Sequence, residues 1–132
     1  MFETIKTRTV LSILWVVLML NMIYIDVLSQ NIPGSHEEML AFAGGTPIPQ
    51  LMLYAAIMIE IPILMVILSR LLKFSISRWA NIVVAILMIV FIVGPEVGNP
   101  AVNPHYLFMG AVEVLCMLAV IGVSWRWKEQ DA

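Results

Sequence analysis

The sequence predicts an all-α polytopic membrane protein, with four transmembrane helices in an up-down bundle and a short extracytoplasmic loop helix. Of its 132 residues, 61% are hydrophobic and only 12% are charged, against about 25% charged residues in soluble domains. Four apolar stretches each reach the roughly 20 residues that a spanning helix needs. Because these stretches take up most of the chain, we expect residues 1–132 to form one domain.

The predicted elements are a first spanning helix, the loop helix and three further spanning helices. Their approximate ranges are 8–29, 36–43, 47–70, 76–95 and 104–126. Ser35 followed three residues later by Glu38 matches a capping box, which predicts the start of the loop helix. Thr46 and Asn103 each precede a proline, and such a pair is typical of a helix N-terminus.

The distribution of basic residues predicts the orientation in the membrane. All seven lie at three places: Lys6 and Arg8 before the first spanning helix, Arg70, Lys73 and Arg78 around the junction of the second and third, and Arg126 and Lys128 after the fourth. The positive-inside rule places such segments in the cytoplasm. We therefore expect a multi-pass protein of the cell inner (plasma) membrane with both termini cytoplasmic.

Several classes of site have no support in the sequence. Cys116 is the single cysteine, which excludes an internal disulfide and a CxxC redox pair. The Glu-x-x-His pairs of carboxylate-bound metals in helical bundles are absent. No segment resembles a nucleotide-binding loop or a nucleic-acid-binding patch. We accordingly expect no metal, no cofactor and no nucleic acid partner.

Two glutamates lie inside the predicted spans and point to function. Glu60 belongs to the apolar stretch 51–69 and Glu113 to the stretch 106–125. A carboxylate in hydrocarbon costs about 2.5 kcal/mol or more on insertion scales. At a rise of 1.5 Å per residue, Glu60 lies about 15 Å from the outer end of its helix, and Glu113 lies slightly nearer to that end.

Other polar side chains share the outer half of the predicted bundle with these glutamates. The sequence therefore predicts a pocket that opens outward and binds a lipid-like or cationic small molecule. The predicted ligand-binding residues are Asn21, Tyr24, Asp26, Glu60, Tyr106 and Glu113.

Three other interpretations of the buried acids stay open. Protonated glutamates can hydrogen-bond across helices in a structural or accessory membrane subunit that has no ligand of its own. The acids can also line the path of a small proton-coupled transporter. An enzyme that uses them for proton transfer is the least favoured interpretation, and no catalytic residue is predicted. Besides membrane lipids, a second copy of the chain in a homodimer is an open partner.

The two halves of the sequence resemble each other. Each half runs from an outward helix that ends near an acid, Asp26 or Glu96, to a returning helix with a buried glutamate, Glu60 or Glu113. This order is typical of a parallel repeat about an axis along the membrane normal.

The end of the first helix carries a family resemblance. The residues Leu20-Asn21-Met22-Ile23-Tyr24-Ile25-Asp26-Val27-Leu28-Ser29, followed by Pro33-Gly34, resemble the first-helix signature of a family of small bacterial four-helix membrane proteins of unknown function. The resemblance extends over most of the chain in length and topology. It implies the fold and no activity.

The layout is also similar, more distantly, to the EXPERA proteins (sterol isomerase and sigma-two receptor) and to the DoxX-like proteins. In the EXPERA pattern one acid ends the first helix and a second lies beside a proline in the second, as Asp26 and Glu60 with Pro62 do here. The resemblance implies that these two acids face a ligand. The family's catalytic histidine–glutamate arrangement is absent, so binding rather than isomerisation is implied.

Overall fold

The computed structural model describes residues 6–98 and 103–128, and these form helices without any β-strand. The α-helices are α1 (Thr7–Ser29), α2 (Ser35–Ala43), α3 (Ile48–Leu71), α4 (Phe74–Val93) and α5 (Pro104–Arg126), and a 3₁₀ turn (Gly94–Glu96) follows α4. The predicted all-α class is confirmed.

Four of the described helices, α1, α3, α4 and α5, are long and apolar enough to cross a membrane. The chain is therefore a multi-pass membrane protein. Helix α1 packs against α3 and α5, and α4 packs against α5, whereas α3 and α4 touch over a smaller area. The four helices thus form a bundle that is looser along the α3–α4 side.

Two helix starts differ from those expected. Gly34 is the N-cap residue of α2, with a φ of 84°, in the left-handed region that glycine enters at little cost. The N–H of Ser35 donates to the carbonyl of Ile32 in the preceding turn, and Ser35 is the first helical residue rather than the cap. Pro47 is the N-cap of α3 rather than its first residue, because its ψ of 140° is extended.

The bundle core is apolar and lies between the four spanning helices. Its buried side chains are Leu11, Trp15, Leu18, Met65, Ala85, Met88, Met117, Val120 and Trp127. A polar network is buried within this core. The indole Nε1 of Trp15 donates to Asn81 Oδ1 at 2.7 Å, and Ser69 Oγ donates to the same oxygen at 3.1 Å. Asn81 Nδ2 donates in turn to the carbonyl of Ser77 at 2.7 Å. These bonds join α1, α3 and α4 in the half of the bundle where α1 and α4 begin.

Two arginines bind the C-terminal ends of neighbouring helices. Arg8 Nη1 donates to the carbonyls of Ser69 at 3.1 Å and Leu72 at 2.7 Å, at the end of α3. Arg78 Nε donates to the carbonyl of Ser124 at 3.0 Å, at the end of α5. A guanidinium in this position satisfies carbonyls that have no partner within the helix and lies favourably in the helix dipole. We call this end of the bundle the basic end.

Aromatic rings lie beside both guanidinium groups. The Cζ of Arg8 is 5.1 Å from the ring centroid of Trp127, and the Cζ of Arg78 is 5.5 Å from that of Trp79 and 5.6 Å from that of Trp125. These distances fall within the range of cation–π attraction. The basic end is therefore closed by two similar Arg–Trp clusters.

Equivalent positions recur between the two halves of the chain. Between α1 and α4 the corresponding residues are Arg8 and Arg78, Leu11 and Asn81, Ser12 and Ile82, Trp15 and Ala85, Leu18 and Met88, and Asp26 and Glu96, and the separation in sequence is the same in every pair. All of these except the arginines and the acids are buried. Between α3 and α5 a second constant separation pairs the buried residues Pro62 with Met117, Met65 with Val120, and Ser69 with Ser124.

This register corrects the expected equivalence of the two membrane glutamates. At the constant separation between α3 and α5, Glu113 corresponds to Met58, and Glu60 corresponds to Leu115. The two-residue difference rotates a side chain by about 200° around a helix. Glu113 is therefore buried, whereas Glu60 lies on the exposed side of α3.

Candidate functional site

A cavity of about 650 Å³ lies at the end of the bundle opposite the basic end. All four spanning helices contribute to its wall, and α2 adds Ser35, Glu38 and Met39. Because α2 joins the C-terminus of α1 to the N-terminus of α3, it lies at this end of the bundle. We call this end the cavity end.

Four carboxyl groups line the cavity, and each comes from a different element. They are Asp26 of α1, Glu38 of α2, Glu96 of the 3₁₀ turn and Glu113 of α5. Among the described residues that line the cavity, none is lysine, arginine or histidine. A concave apolar site with charges of one sign concentrates ions of the opposite sign. The four carboxyl groups therefore give this site an acidic lining.

Glu113 is the most deeply placed of these acids. It lies nine residues beyond the start of α5 at Pro104, which is about 14 Å along the helix axis. The residue is 4% exposed, and its Oε1 has no hydrogen-bond partner within the described part of the chain. Buried polar atoms are nearly always hydrogen-bonded, and an unpaired one costs about 1–3 kcal/mol or more when charged. This carboxyl group therefore lines the cavity with one oxygen that has no donor from the described part of the chain.

Further polar groups lie between Glu113 and the mouth. Tyr106 precedes Glu113 by two helical turns and lines the cavity on the same face of α5. Near the mouth, Ser29 Oγ and His105 Nε2 are 3.1 Å apart and join α1 to α5 by a hydrogen bond. Asn103, at the start of α5, also lines the wall. The polar groups thus extend from the mouth to the buried carboxyl.

Apart from the acids and the other polar groups, the lining of the cavity is apolar and can adapt its shape. It includes Met22 and Ile25 of α1, Met58 of α3, and Phe91 and Ile92 of α4. Methionine side chains are unbranched and polarisable, so they fill irregular spaces and adjust to guests of different shape. The cavity therefore combines four carboxyl groups with a flexible hydrophobic lining.

The structure brings together three of the six predicted site residues. Asp26, Tyr106 and Glu113 line the cavity, whereas the other three do not. Asn21 is half-buried, and its Nδ2 donates at 2.9 Å to the carbonyl of Val17 within its own helix. Tyr24 is 58% exposed, and Glu60 is exposed on α3.

Two acids of the cavity were absent from the predicted set. Glu96 corresponds to Asp26 in the repeat, so the similarity of the two halves was a signal that could have identified it. Glu38 was interpreted only as the partner of a helix cap. Its place in the cavity depends on how α2 lies across the bundle, for which the sequence carries no local signal.

The chemistry available to this site is that of ion pairing and hydrogen bonding. Within residues 6–98 and 103–128, no group of three or more His, Cys, Asp or Glu side chains is arranged to hold a metal ion. Carboxylates accept hydrogen bonds from ammonium or hydroxyl groups, and such bonds are stronger when the donor is charged.

Comparison with known proteins places the chain in a family. Over residues 1–132 it matches the sequence model of a family of unknown function, DUF6326, in agreement with the resemblance to a family without assigned activity. No curated protein and no solved structure matches the chain.

Proposed function

The chain belongs to DUF6326, a family of unknown function, and we propose from its cavity that it binds an amphipathic organic cation within the membrane. The observation that carries this proposal is the buried, unpaired Oε1 of Glu113 in a cavity that holds three further carboxyl groups.

Charge supports a cationic ligand over an anionic or neutral one. An ammonium group beside Glu113 supplies the hydrogen-bond donor that this oxygen lacks, and Asp26 lies in the same cavity wall. An anion would instead meet carboxyl groups without any basic side chain among the described lining residues. Like charges in a desolvated site repel strongly, so an anionic ligand is disfavoured.

Shape and polarity support a ligand with a hydrophobic body. Apolar side chains, among them Met22, Met58 and Phe91, line the cavity together with the acids. The volume of about 650 Å³ lies within the range of small-molecule sites, which is about 300–1,000 Å³. A molecule with one amine and a hydrocarbon portion would therefore fill the cavity, with its amine beside a carboxyl group and its hydrocarbon portion against the apolar side chains.

The packing of the opposite half of the bundle favours binding over transport. Beyond the cavity the core is filled by fully buried side chains, including Trp15, Leu18 and Met88. The hydrogen bond between Trp15 and Asn81 crosses the bundle there. A transported molecule would have to break this bond and displace the core, whereas a bound molecule would leave both intact.

The positive-inside rule gives the proposed direction of the mouth. Arg8, Arg70, Lys73, Arg78 and Arg126 lie at or near the basic end of the described helices. This end would face the cytoplasm. The cavity would then open to the extracytoplasmic side, and its ligand would arrive from that side.

The proposal is tested by thermal unfolding of the purified protein with three compounds that share one alkyl chain and differ in the head group. We expect the amine to raise the Tm, with a stabilisation of about 2.7 kcal/mol at a concentration one hundred times its Kd. The corresponding alcohol should stabilise much less, and the carboxylate should not stabilise.

Substitutions then assign the effect to the cavity. Glu113→Gln should weaken amine binding about tenfold to one-hundredfold, because a hydrogen bond to a charged group contributes about 1.5–3 kcal/mol. Glu60→Gln is the matched control, since it removes the other membrane glutamate outside the cavity, and it should leave the amine effect unchanged. Equal stabilisation by the alcohol, or equal loss in both variants, would refute the proposal.

A further inference from the structure

Glu60 lies in a continuous apolar stripe on the exposed side of α3. The stripe repeats at alternating steps of four and three residues and consists of Leu53, Ile57, Glu60, Leu64, Ile67 and Leu71. The apolar members are between 49% and 75% exposed, and Glu60 is exposed as well. Side chains at this spacing form one straight seam along a helix, as in coiled coils and membrane helix pairs.

The carboxyl group of Glu60 lies near the middle of the membrane. Helix α3 has 24 residues and begins at Ile48, so Glu60 is about 18 Å along a helix that is about 36 Å long. A glutamate side chain is too short to reach either headgroup layer from this depth. The surrounding hydrocarbon offers no hydrogen-bonding group, so a single carboxyl group that faces lipid at this depth is costly.

The fold itself does not require an acid at this position. The repeat places Leu115 of α5 at the position equivalent to Glu60, and Leu115 is 65% exposed. The two other acids within the described spans, Asp26 and Glu113, line the cavity. Glu60 thus occupies a position at which α5 has a lipid-facing leucine, and it does not line the cavity.

We propose that α3 is the interface of a homodimer, in which the Glu60 side chains of two copies meet across a two-fold axis along the membrane normal. Such an axis keeps each residue at the same depth as its equivalent in the other copy. Two carboxyl groups that share a proton then hydrogen-bond to each other away from lipid. A second copy therefore always supplies a matching group at the depth of Glu60.

A groove lies on the surface beside the stripe. A shallow groove of about 420 Å³ lies between α1 and α3, and Ile67 and Leu71 of the stripe form part of its lining together with Ile13 and Val16. Side chains from the α3 helix of a second copy can enter this groove. Of the four spanning helices, α3 has the smallest buried share, 11%, which leaves it the most surface for a partner.

Disulfide cross-linking in liposomes tests the geometry. In a Cys116→Ser background, Leu64→Cys lies one turn from Glu60 on the stripe and should form a cross-linked dimer when an oxidant is added. Leu118→Cys is the matched control on α5, because Leu64 and Leu118 are 49% and 52% exposed. It should form no cross-linked dimer. Equal cross-linking at both positions, or none at Leu64→Cys, would overturn the proposal.

Substitution of Glu60 tests the role of the carboxyl group. The fraction of dimers is measured by single-molecule photobleaching of labelled protein in liposomes at several protein densities. Glu60→Leu should weaken dimerisation about threefold to tenfold, the effect of one interhelical hydrogen bond in a bilayer. Glu60→Gln should dimerise nearly as well as the natural chain, since paired amides also hydrogen-bond. Amine binding by the cavity should persist in both variants and shows that they are folded.

Two results would contradict the dimer while leaving the proposed binding function untouched. The natural chain could remain monomeric at every density, or Glu60→Leu could dimerise as tightly as the natural chain. Conversely, a failure of all amines to bind, with Glu60-dependent dimers intact, would refute the function of the cavity alone.

Discussion

The buried pair of Trp15 and Asn81 shows how single side chains hold the helices of this bundle together. Both side chains are fully buried, and the indole donates to the amide oxygen at 2.7 Å. Ser69 donates to the same oxygen. Within the bundle core these groups have no water to replace a missing partner, so the loss of one donor leaves its acceptor less well satisfied.

Trp15→Phe should therefore destabilise the folded protein by about 1–3 kcal/mol, through the lost hydrogen bond and the smaller ring. The measurement is the free energy of unfolding in mixed micelles. Trp79→Phe is the control, because Trp79 is 51% exposed and makes no buried hydrogen bond in the described structure. A loss of stability in the control as large as that in Trp15→Phe would contradict this account.

The position of Glu60 shows what a sequence can and cannot predict about one residue. Its depth follows from counting along the helix, because every residue adds the same rise. The side of the helix that it occupies does not follow, because α3 is apolar around its whole circumference and no polar face marks the lipid side. Glu113 could be placed more securely, since Tyr106 and Gly110 share its face.

At the scale of elements, the arginine caps fix how the helices meet at the basic end. Arg8 and Arg78 occupy equivalent positions, and each binds carbonyls at the C-terminus of the helix packed beside its own. The spacing of basic residues predicted only the topology. Two of these arginines also bind helix ends. The sequence does not predict this role, because it depends on which helices pack beside α1 and α4.

Arg8→Ala and Arg78→Ala should each lower the free energy of unfolding by about 1–2 kcal/mol, since each substitution removes charge-assisted bonds and a cation–π contact. The equivalence of the two positions predicts effects of similar size. Arg126→Ala, at an exposed position, should change stability by less than about 0.5 kcal/mol. Thermal unfolding of the three variants would contradict the account if Arg126→Ala were the most damaging.

The start of α2 shows a second limit at the element scale. Ser35 and Glu38 have the residue types of a capping box, yet Gly34 takes the cap position with its positive φ. The preceding turn decides this, because the N–H of Ser35 already donates to the carbonyl of Ile32. Sequence spacing therefore located the helix, and the backbone of the turn determined its first residue.

At the scale of the whole molecule, we expect the basic end of the bundle to face the cytoplasm. The expected orientation is tested with single cysteines in a Cys116→Ser background and a membrane-impermeant thiol reagent. Asn31→Cys at the cavity end should be labelled in intact cells, whereas Lys73→Cys at the basic end should need permeabilised membranes. Both residues are exposed. The reverse pattern would contradict the positive-inside assignment.

The number and order of spanning helices followed from the sequence because hydrocarbon admits little except apolar helices. The cavity did not follow. Its lining draws on six elements, and the placement of Glu38 and Glu96 depends on the position of α2 and on the turn after α4. The depth of a residue in the membrane can be predicted by counting along its helix. The direction in which its side chain faces depends on how the helices pack, which the sequence alone does not give.

The near two-fold repeat of the bundle is broken in the cavity at the depth of Glu113, and this has a consequence for any guest molecule. A perfectly duplicated chamber would offer the same anchoring point on opposite sides, so a guest could sit either way round. Here Glu113 faces inward from α5 while its counterpart on α3 is Met58. At this depth the chamber is consequently asymmetric: a carboxyl group lies on the α5 side and a methionine on the α3 side, so a guest whose polar head reaches Glu113 takes one orientation about the bundle axis.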